Sequence, residues 1–217
     1  VVLATSATDE DAELKNFTLN GKVDFFQGDP DDVIKRYIGV CDKHNIDVII
    51  RVTADCPVIS SEIAEMLLEH HFSSGADYTA VRECAVGTAC EIYNAEALRR
   101  VINYLGEAKY SEYMTWYMQN NREIFKVELV DLPDDMVRNY RLTLDYTEDL
   151  ELFERLYEEL DRDSKTPSLE NIFKILDANP IIASINSHLT LKYKTDQSLI
   201  ELLNSNTKIR SSIVINE

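Results

Sequence analysis

Two aspartates sit just past strand-like apolar runs, where carboxylates could handle phosphate chemistry through a metal. Asp55 stands in Arg51-Val-Thr-Ala-Asp-Cys-Pro57, at the end of the apolar run 47–53. Asp145 follows Arg141-Leu-Thr-Leu144 in Leu144-Asp-Tyr-Thr-Glu-Asp149. In an open α/β sheet, ligands bind beyond the carboxyl ends of the strands. Two carboxylates meeting there can hold Mg²⁺, a hard cation that takes oxygen ligands and keeps several waters. Such an ion would screen a triphosphate and align an attacking hydroxyl with the α-phosphorus. The same residues also have a plainer use. Asp145 and Thr147 can cap the helix that follows, and Asp55 can cap the turn before Pro57, because Asp is favoured at such positions.

Other candidates are weaker. Gly28-Asp-Pro-Asp-Asp-Val33 carries an Asp-x-Asp pattern, Asp29 and Asp31, of the kind that holds a metal and a sugar nucleotide in some glycosyltransferases. It also opens a helix, with Asp29 suited to the N-cap and Pro30 to the first helical position. His70 and His71 are adjacent on a helix, so they point to different faces and make a poor metal pair. The aromatic stretch 110–117 could stack a sugar or a base, or simply pack as an amphipathic helix. The acidic run 148–163 reads as a solvated helix face. Six glycines occur, and none forms a GxGxxG or GxxxxGK[ST] phosphate loop.

The elements that must position these residues alternate between strand and helix. Strands are predicted at 1–5, 23–26, 47–53, 76–81, 88–93, 125–130 and 141–144, with 47–53 as the clearest central strand. Helices are predicted at 9–20, from 29 onward, 60–72, 95–105, 111–120, 147–160, 168–178 and 196–203. Val33, Ile34, Tyr37, Ile38 and Cys41 recur on one helical face, as do Leu150, Phe153, Leu156, Tyr157 and Leu160. The alternation predicts an α/β fold with a mainly parallel sheet covered by helices on both faces. Residues 1–194 read as one domain, and 195–217 as a more polar C-terminal appendage.

Bulk properties narrow the function classes. The chain has 217 residues, 45% hydrophobic content and a formal charge of -17. That suits a single globular core, and so acidic a surface repels nucleic-acid backbones. A small nucleotide is still admitted, since a divalent cation can sit between carboxylates and phosphates. Cys41, Cys56, Cys84 and Cys90 show no CxxC spacing, so no zinc knuckle or redox pair is expected. The pattern fits reduced thiols in a cytoplasmic protein. No apolar run approaches the ~20 residues needed to span a bilayer.

Five phrases occur in order: Gly28-Asp-Pro-Asp-Asp-Val-Ile-Lys-Arg-Tyr37, Arg51-Val-Thr-Ala-Asp-Cys-Pro57, Gly75-Ala-Asp-Tyr78, Glu91-Ile-Tyr-Asn-Ala-Glu-Ala-Leu98 and Leu142-Thr-Leu-Asp-Tyr-Thr-Glu-Asp-Leu-Glu-Leu152. Together they resemble the spore-coat-polysaccharide-type cytidylyltransferases, relatives of the synthetases that make CMP-linked sugar acids. The resemblance spans residues 1–194. It implies a glycosyltransferase-A-like fold and transfer of CMP from CTP to an acidic sugar (a 2-keto sugar acid), with release of pyrophosphate. It further implies Mg²⁺ and a homodimer. Asp55 and Asp145 match the family's catalytic, metal-binding aspartates. Gly28, Asp32, Arg36 and Thr53 fall in its nucleotide-binding segments, and Glu91, Tyr113 and Tyr117 fall where it places sugar-binding residues.

The sequence also departs from the family pattern. Ala54 and Ala89 stand where glycine and an acidic residue are usual, and Tyr113 stands where histidine is common. The family's first strand and its basic, glycine-containing phosphate loop are expected ahead of Val1. Two competing readings are a non-catalytic dimerisation or binding module of degenerate fold, and a metal-dependent glycosyltransferase using Asp29 and Asp31.

Overall fold

A computed structural model describes residues 1–162 and 164–209. The chain runs β1 (Val2–Ser6), β2 (Asp24–Gly28), α1 (Val33–His44), β3 (Val48–Arg51), α2 (Ser61–Ser74), β4 (Tyr78–Val81), β5 (Glu91–Asn94) and α3 (Ala95–Leu105). It continues with α4 (Thr115–Gln119), β6 (Val127–Val130), α5 (Thr147–Arg162), α6 (Leu169–Ala178), α7 (Pro180–Ser184), α8 (Lys192–Thr195) and α9 (Gln197–Thr207).

β1 and β2 form a parallel pair, and the other strands form a four-stranded sheet in the order β3-β5-β4-β6. The period-2 alternation of β5 and β6 splits the core into two layers. On one face, Ile92 and Val130 meet Ile63 and Leu67 of α2, Leu152 and Leu156 of α5, and Ile172 and Phe173 of α6. On the other, Tyr93 and Leu129 meet Ile34 and Cys41 of α1, Leu98 and Val101 of α3, and Tyr117 and Met118 of α4. This is the expected α/β architecture of sheets flanked by helices. The sheet is more mixed than expected, since β5 runs antiparallel to both β3 and β4 while β4 and β6 are parallel.

Several elements differ from their sequence expectation. β3 lies at an edge of its sheet among the described residues rather than at the centre, leaving Ile50 48% exposed. Its apolar run resembles a central strand because Ile49 is buried against α1 and α3. Helix α1 is capped by Asp32, not Asp29. Asp29 accepts from the N–H groups of Asp31 and Asp32 and closes a turn, and Asp32 then caps Lys35 N–H at 3.0 Å. Asp32 wins the cap because its second oxygen also takes the buried N–H of Ala108, at 2.9 Å.

Residues 9–20 give a 3₁₀ helix, Glu10–Phe17, with no buried residue, so no apolar stripe anchors a longer α-helix. Residues 141–144 form no strand, only a parallel bridge between Val86 and Arg141. Helix α6 ends at Ala178 as the 168–178 reading expects, and Pro180 then opens the short α7 at its first turn. The C-terminal segment packs on the core, one of the two placements open to it as an appendage: Leu203, Thr207 and Ile209 are buried, and Asn121 bonds both Thr207 O and Ile209 N–H. The remainder of that segment, 210–217, lies outside the described residues. Cys41 and Cys90 are buried, and Cys56 and Cys84 are half-buried, with none of the four paired to another.

Candidate active site

Three loop segments meet beyond the carboxyl end of β3. After β3, Cys56 N–H donates to Thr53 O at 3.1 Å and closes a turn that presents Asp55. After β4, Val86 N–H donates to Tyr140 O, and Leu142 N–H donates to Val86 O at 2.7 Å. Next, Leu144 N–H donates to Asp55 O at 2.8 Å. The segment 141–144 is thus stitched to both loops, which brings Asp145 beside Asp55. Gly87 permits the approach. Its φ is +88°, and a Cβ there would sit 2.0 Å from Leu142 O.

The two carboxylates converge on one hydroxyl. Thr143 Oγ1 lies 3.2 Å from Asp55 Oδ2 and 3.4 Å from Asp145 Oδ2. Neither side chain caps a helix. The capping bonds at the start of α5 come instead from Asp149, whose Oδ2 takes the N–H groups of Asp145 and Tyr146. Asp149 is fully buried, although the acidic run around it reads as a solvated face. It also receives Arg141 Nε at 2.9 Å and Nη2 at 3.0 Å, and Asn186 Nδ2 at 2.8 Å. Burial works to raise its carboxyl pKa, but the Arg141 guanidinium and the N–H donors hold it below the usual carboxylate range. Arg141 also reaches Asp145 Oδ2 at 2.5 Å and covers the Tyr146 ring. One buried arginine therefore links the capping carboxylate to the exposed one.

The cleft has a volume of about 620 Å³, and Thr53, Asp55, Glu91, Tyr113 and Asp145 all line it. On its floor, Arg51 pairs with Glu91 Oε2 at 2.5 Å, and Tyr78 donates its hydroxyl to Glu91 Oε1 at 2.6 Å. Burial and the neighbouring Glu91 charge push the Tyr78 phenol well above its ordinary value, so it stays a donor. Glu91 is held from two sides with its carboxylate facing the cleft, an arrangement suited to accepting a hydroxyl.

Four expected site residues lie elsewhere. Tyr117 is fully buried in the core and donates its hydroxyl to Lys109 O, so it packs rather than binds. Gly28 lies under α1, where a Cβ would meet Arg36 Cγ at 2.8 Å. Asp32 is the helix cap, and Arg36 folds back to donate to Asp29 O and Pro30 O. These three do not line the cleft, and neither do Asp29 and Asp31, the pair of the glycosyltransferase reading. Sequence reasoning passed over Arg141, Thr143, Gly87 and Asp149. A buried arginine four and eight residues ahead of two aspartates leaves no mark in composition or periodicity. Among the described residues, no cluster of three or more His, Cys, Asp or Glu forms a metal cage.

The cytidylyltransferase family profile matches residues 1–175. The chain belongs to the cytidylyltransferase family. It is accordingly a nucleotidyltransferase, and the converging aspartates lie within the matched residues. It is 28% identical over 186 residues to the spore coat polysaccharide biosynthesis protein SpsF of Bacillus subtilis (strain 168), covering 85% of this chain and 77% of that one. It is likewise 28% identical over 193 residues to an uncharacterized protein of Methanocaldococcus jannaschii, covering 88% and 79%. Among solved structures, a cytidylyltransferase from Leptospira borgpetersenii serovar Hardjo-bovis (strain JB197) matches this cytidylyltransferase with a TM-score of 0.74 at 25% identity. That match covers 88% of this chain and 80% of the other.

Proposed function

We propose that the protein transfers CMP from CTP to a hydroxyl of an acidic sugar for surface polysaccharide biosynthesis. The observation that carries this reading is the convergence of Asp55 and Asp145 on the Thr143 hydroxyl at the mouth of the cleft. Family membership supports cytidylyl transfer, and the kinship with a spore coat polysaccharide protein supports the pathway class. In the reaction, the sugar hydroxyl gives up its proton to solvent as its oxygen bonds to the α-phosphorus, the bond from that phosphorus to the bridging oxygen breaks, and pyrophosphate leaves.

The donor set fits Mg²⁺. Two hard carboxylates, with no third His, Cys, Asp or Glu grouped with them among the described residues to complete a cage, suit a cation that fills its remaining positions with water and substrate phosphates. Asp55 and Asp145 would hold it, and when bound it supplies charge screening at the α-phosphate. Glu91, fixed by Arg51 and Tyr78, would orient a sugar hydroxyl, with Tyr113 forming part of the wall. The same reading keeps the protein in the cytoplasm as a homodimer.

The test uses the full-length gene product, CTP, Mg²⁺ and a panel of 2-keto sugar acids. Asp145→Asn should lower the rate of pyrophosphate release by about 100-fold, since the charge-stabilising group acts on the transition state. Its melting temperature should hold within a few degrees, because the residue is exposed and its partner Arg141 retains Asp149. Full turnover in that variant would remove the metal role. Absence of CTP binding to the wild-type protein by calorimetry would instead favour a non-catalytic binding module.

A further inference from the structure

Part of the cleft wall is made by a segment beyond the residues that the family profile matches. Thr190, Leu191, Lys192 and Tyr193 line the cleft, whereas the profile ends at residue 175. This strap is fastened at both ends. Before it, Asn186 is buried and donates to Arg141 O at 2.9 Å and to Asp149 Oδ1. After it, α9 is clamped to α4 through Asn120 and Asn121, which bond Thr207. Midway, the Tyr193 ring meets the Tyr113 ring edge-on at 6.1 Å, so the strap touches the aromatic segment 110–117.

The charges around the cleft single out one residue. Asp55, Glu91, Glu112 and Asp145 are the acids that line it, and Arg51, Arg141 and Lys192 are the cations. Arg51 is spent on Glu91, and Arg141 on Asp145 and Asp149. Among the described residues, Lys192 is the lining cation without an acidic partner. An exposed lysine that lines a cleft with four acids yet pairs with none of them, in a chain of charge -17, is placed where an anion can use it.

We propose that Lys192, carried by the strap, docks an anionic group of the substrate: the carboxylate of the sugar acid or a phosphate of the nucleotide. The inference rests on the cytidylyl-transfer reading for the identity of the ligand, but not for the existence of an anion site. Tyr193 acts as a positioning residue, holding the strap against Tyr113. Burial pushes its phenol up to about 12, so it remains protonated through the working pH range.

Calorimetry on the full-length gene product tests this with three probes: inorganic pyrophosphate, CTP with Mg²⁺, and 3-deoxy-manno-octulosonate. Lys192→Met should weaken at least one of them by about five- to tenfold, the scale of one charge-assisted contact at an exposed site. Lys192→Arg should stay near the wild-type affinity. Lys194→Met, two residues along the same strap but outside the cleft, should change none. Loss on pyrophosphate and CTP assigns Lys192 to phosphate, and loss on the sugar acid alone assigns it to the carboxylate. Equal affinities of wild type and Lys192→Met for all three, an equal loss in Lys194→Met, or no binding of any probe overturns the proposal. If the wild type binds pyrophosphate but not CTP with Mg²⁺, and Lys192→Met weakens that binding, the cytidylyl reading fails while the anion site stands.

Discussion

At Asp149, five donors meet one buried carboxylate, and the arrangement decides what its neighbours are free to do. Because Asp149 caps α5, Asp145 is released from that task and turns to the cleft. Asp149→Ala would leave Arg141 buried with only the exposed Asp145 as partner, and would orphan two backbone N–H groups. Breaking a buried pair in this way costs about 3 kcal/mol or more, to be read from urea unfolding of wild type and variant. The pH dependence has a definite sign. The folded-state pKa of Asp149 is lowered, so its stabilisation is complete above the unfolded value of about 3.9 and is lost as pH falls through the lower folded value. Wild-type stability should therefore fall steeply below about pH 4, and the Asp149→Ala variant should fall less steeply over the same interval. Both cleft aspartates, Asp55 and Asp145, were legible in the sequence as residues that follow apolar runs. Asp149 was hidden, since one buried acid in an acidic helix looks the same as its solvated neighbours.

Between elements, the site depends on how closely residues 141–144 approach the turn at 86–88. Gly87 is the residue that allows it. Gly87→Ala would drive a Cβ into Leu142 O and strain a φ of +88° besides. The expected loss is roughly 3 kcal/mol, well above the usual cost of a point substitution, with a matching fall in nucleotide affinity as Asp145 moves away from Asp55. Gly75 provides the comparison. It also has positive φ, +66°, but nothing lies within 4 Å of its Cβ position. Gly75→Ala should therefore cost only the left-handed penalty of about 1 kcal/mol and leave the cleft intact. Thermal melts of the two variants side by side check the difference. Most helices were legible from capping residues and 3.6-residue periodicity: Ser60 caps α2, Ser168 caps α6 and Asp196 caps α9. Residues 141–144 were misread as a strand because Leu142 and Leu144 alternate with polar residues in the sequence. In the fold Arg141, Leu142 and Thr143 are all buried and Leu144 is exposed, and the pairing partner is a loop.

For the molecule as a whole, the charge of -17 is the dominant long-range term. Single exposed ion pairs, such as Arg82 with Asp131 or Lys208 with Glu123, contribute little each. Net self-repulsion therefore outweighs them, and screening it should stabilise the fold. Raising NaCl from about 20 mM to about 500 mM should raise the melting temperature, since the Debye length falls from tens of ångströms to a few. A fall instead would mean that surface ion pairs carry more of the stability than this balance allows. The C-terminal helix belongs to the same whole, because α9 closes over α4 and ties down the strap that walls the cleft.

The α/β class, the positions of most helices, the resemblance to cytidylyltransferases and the pair Asp55 and Asp145 were set by local pattern. Periodicity, caps and short phrases act over a few residues, so the chain displays them directly. The tertiary structure alone decided that Tyr117, Asp32 and Arg36 serve packing and capping, that Asp149 and Arg141 hold the site, and that a strap beyond residue 189 forms one wall. Each of those outcomes depends on which atoms from distant segments meet. Burial and hydrogen-bond geometry set those meetings across the fold, and neither is carried by spacing along the chain.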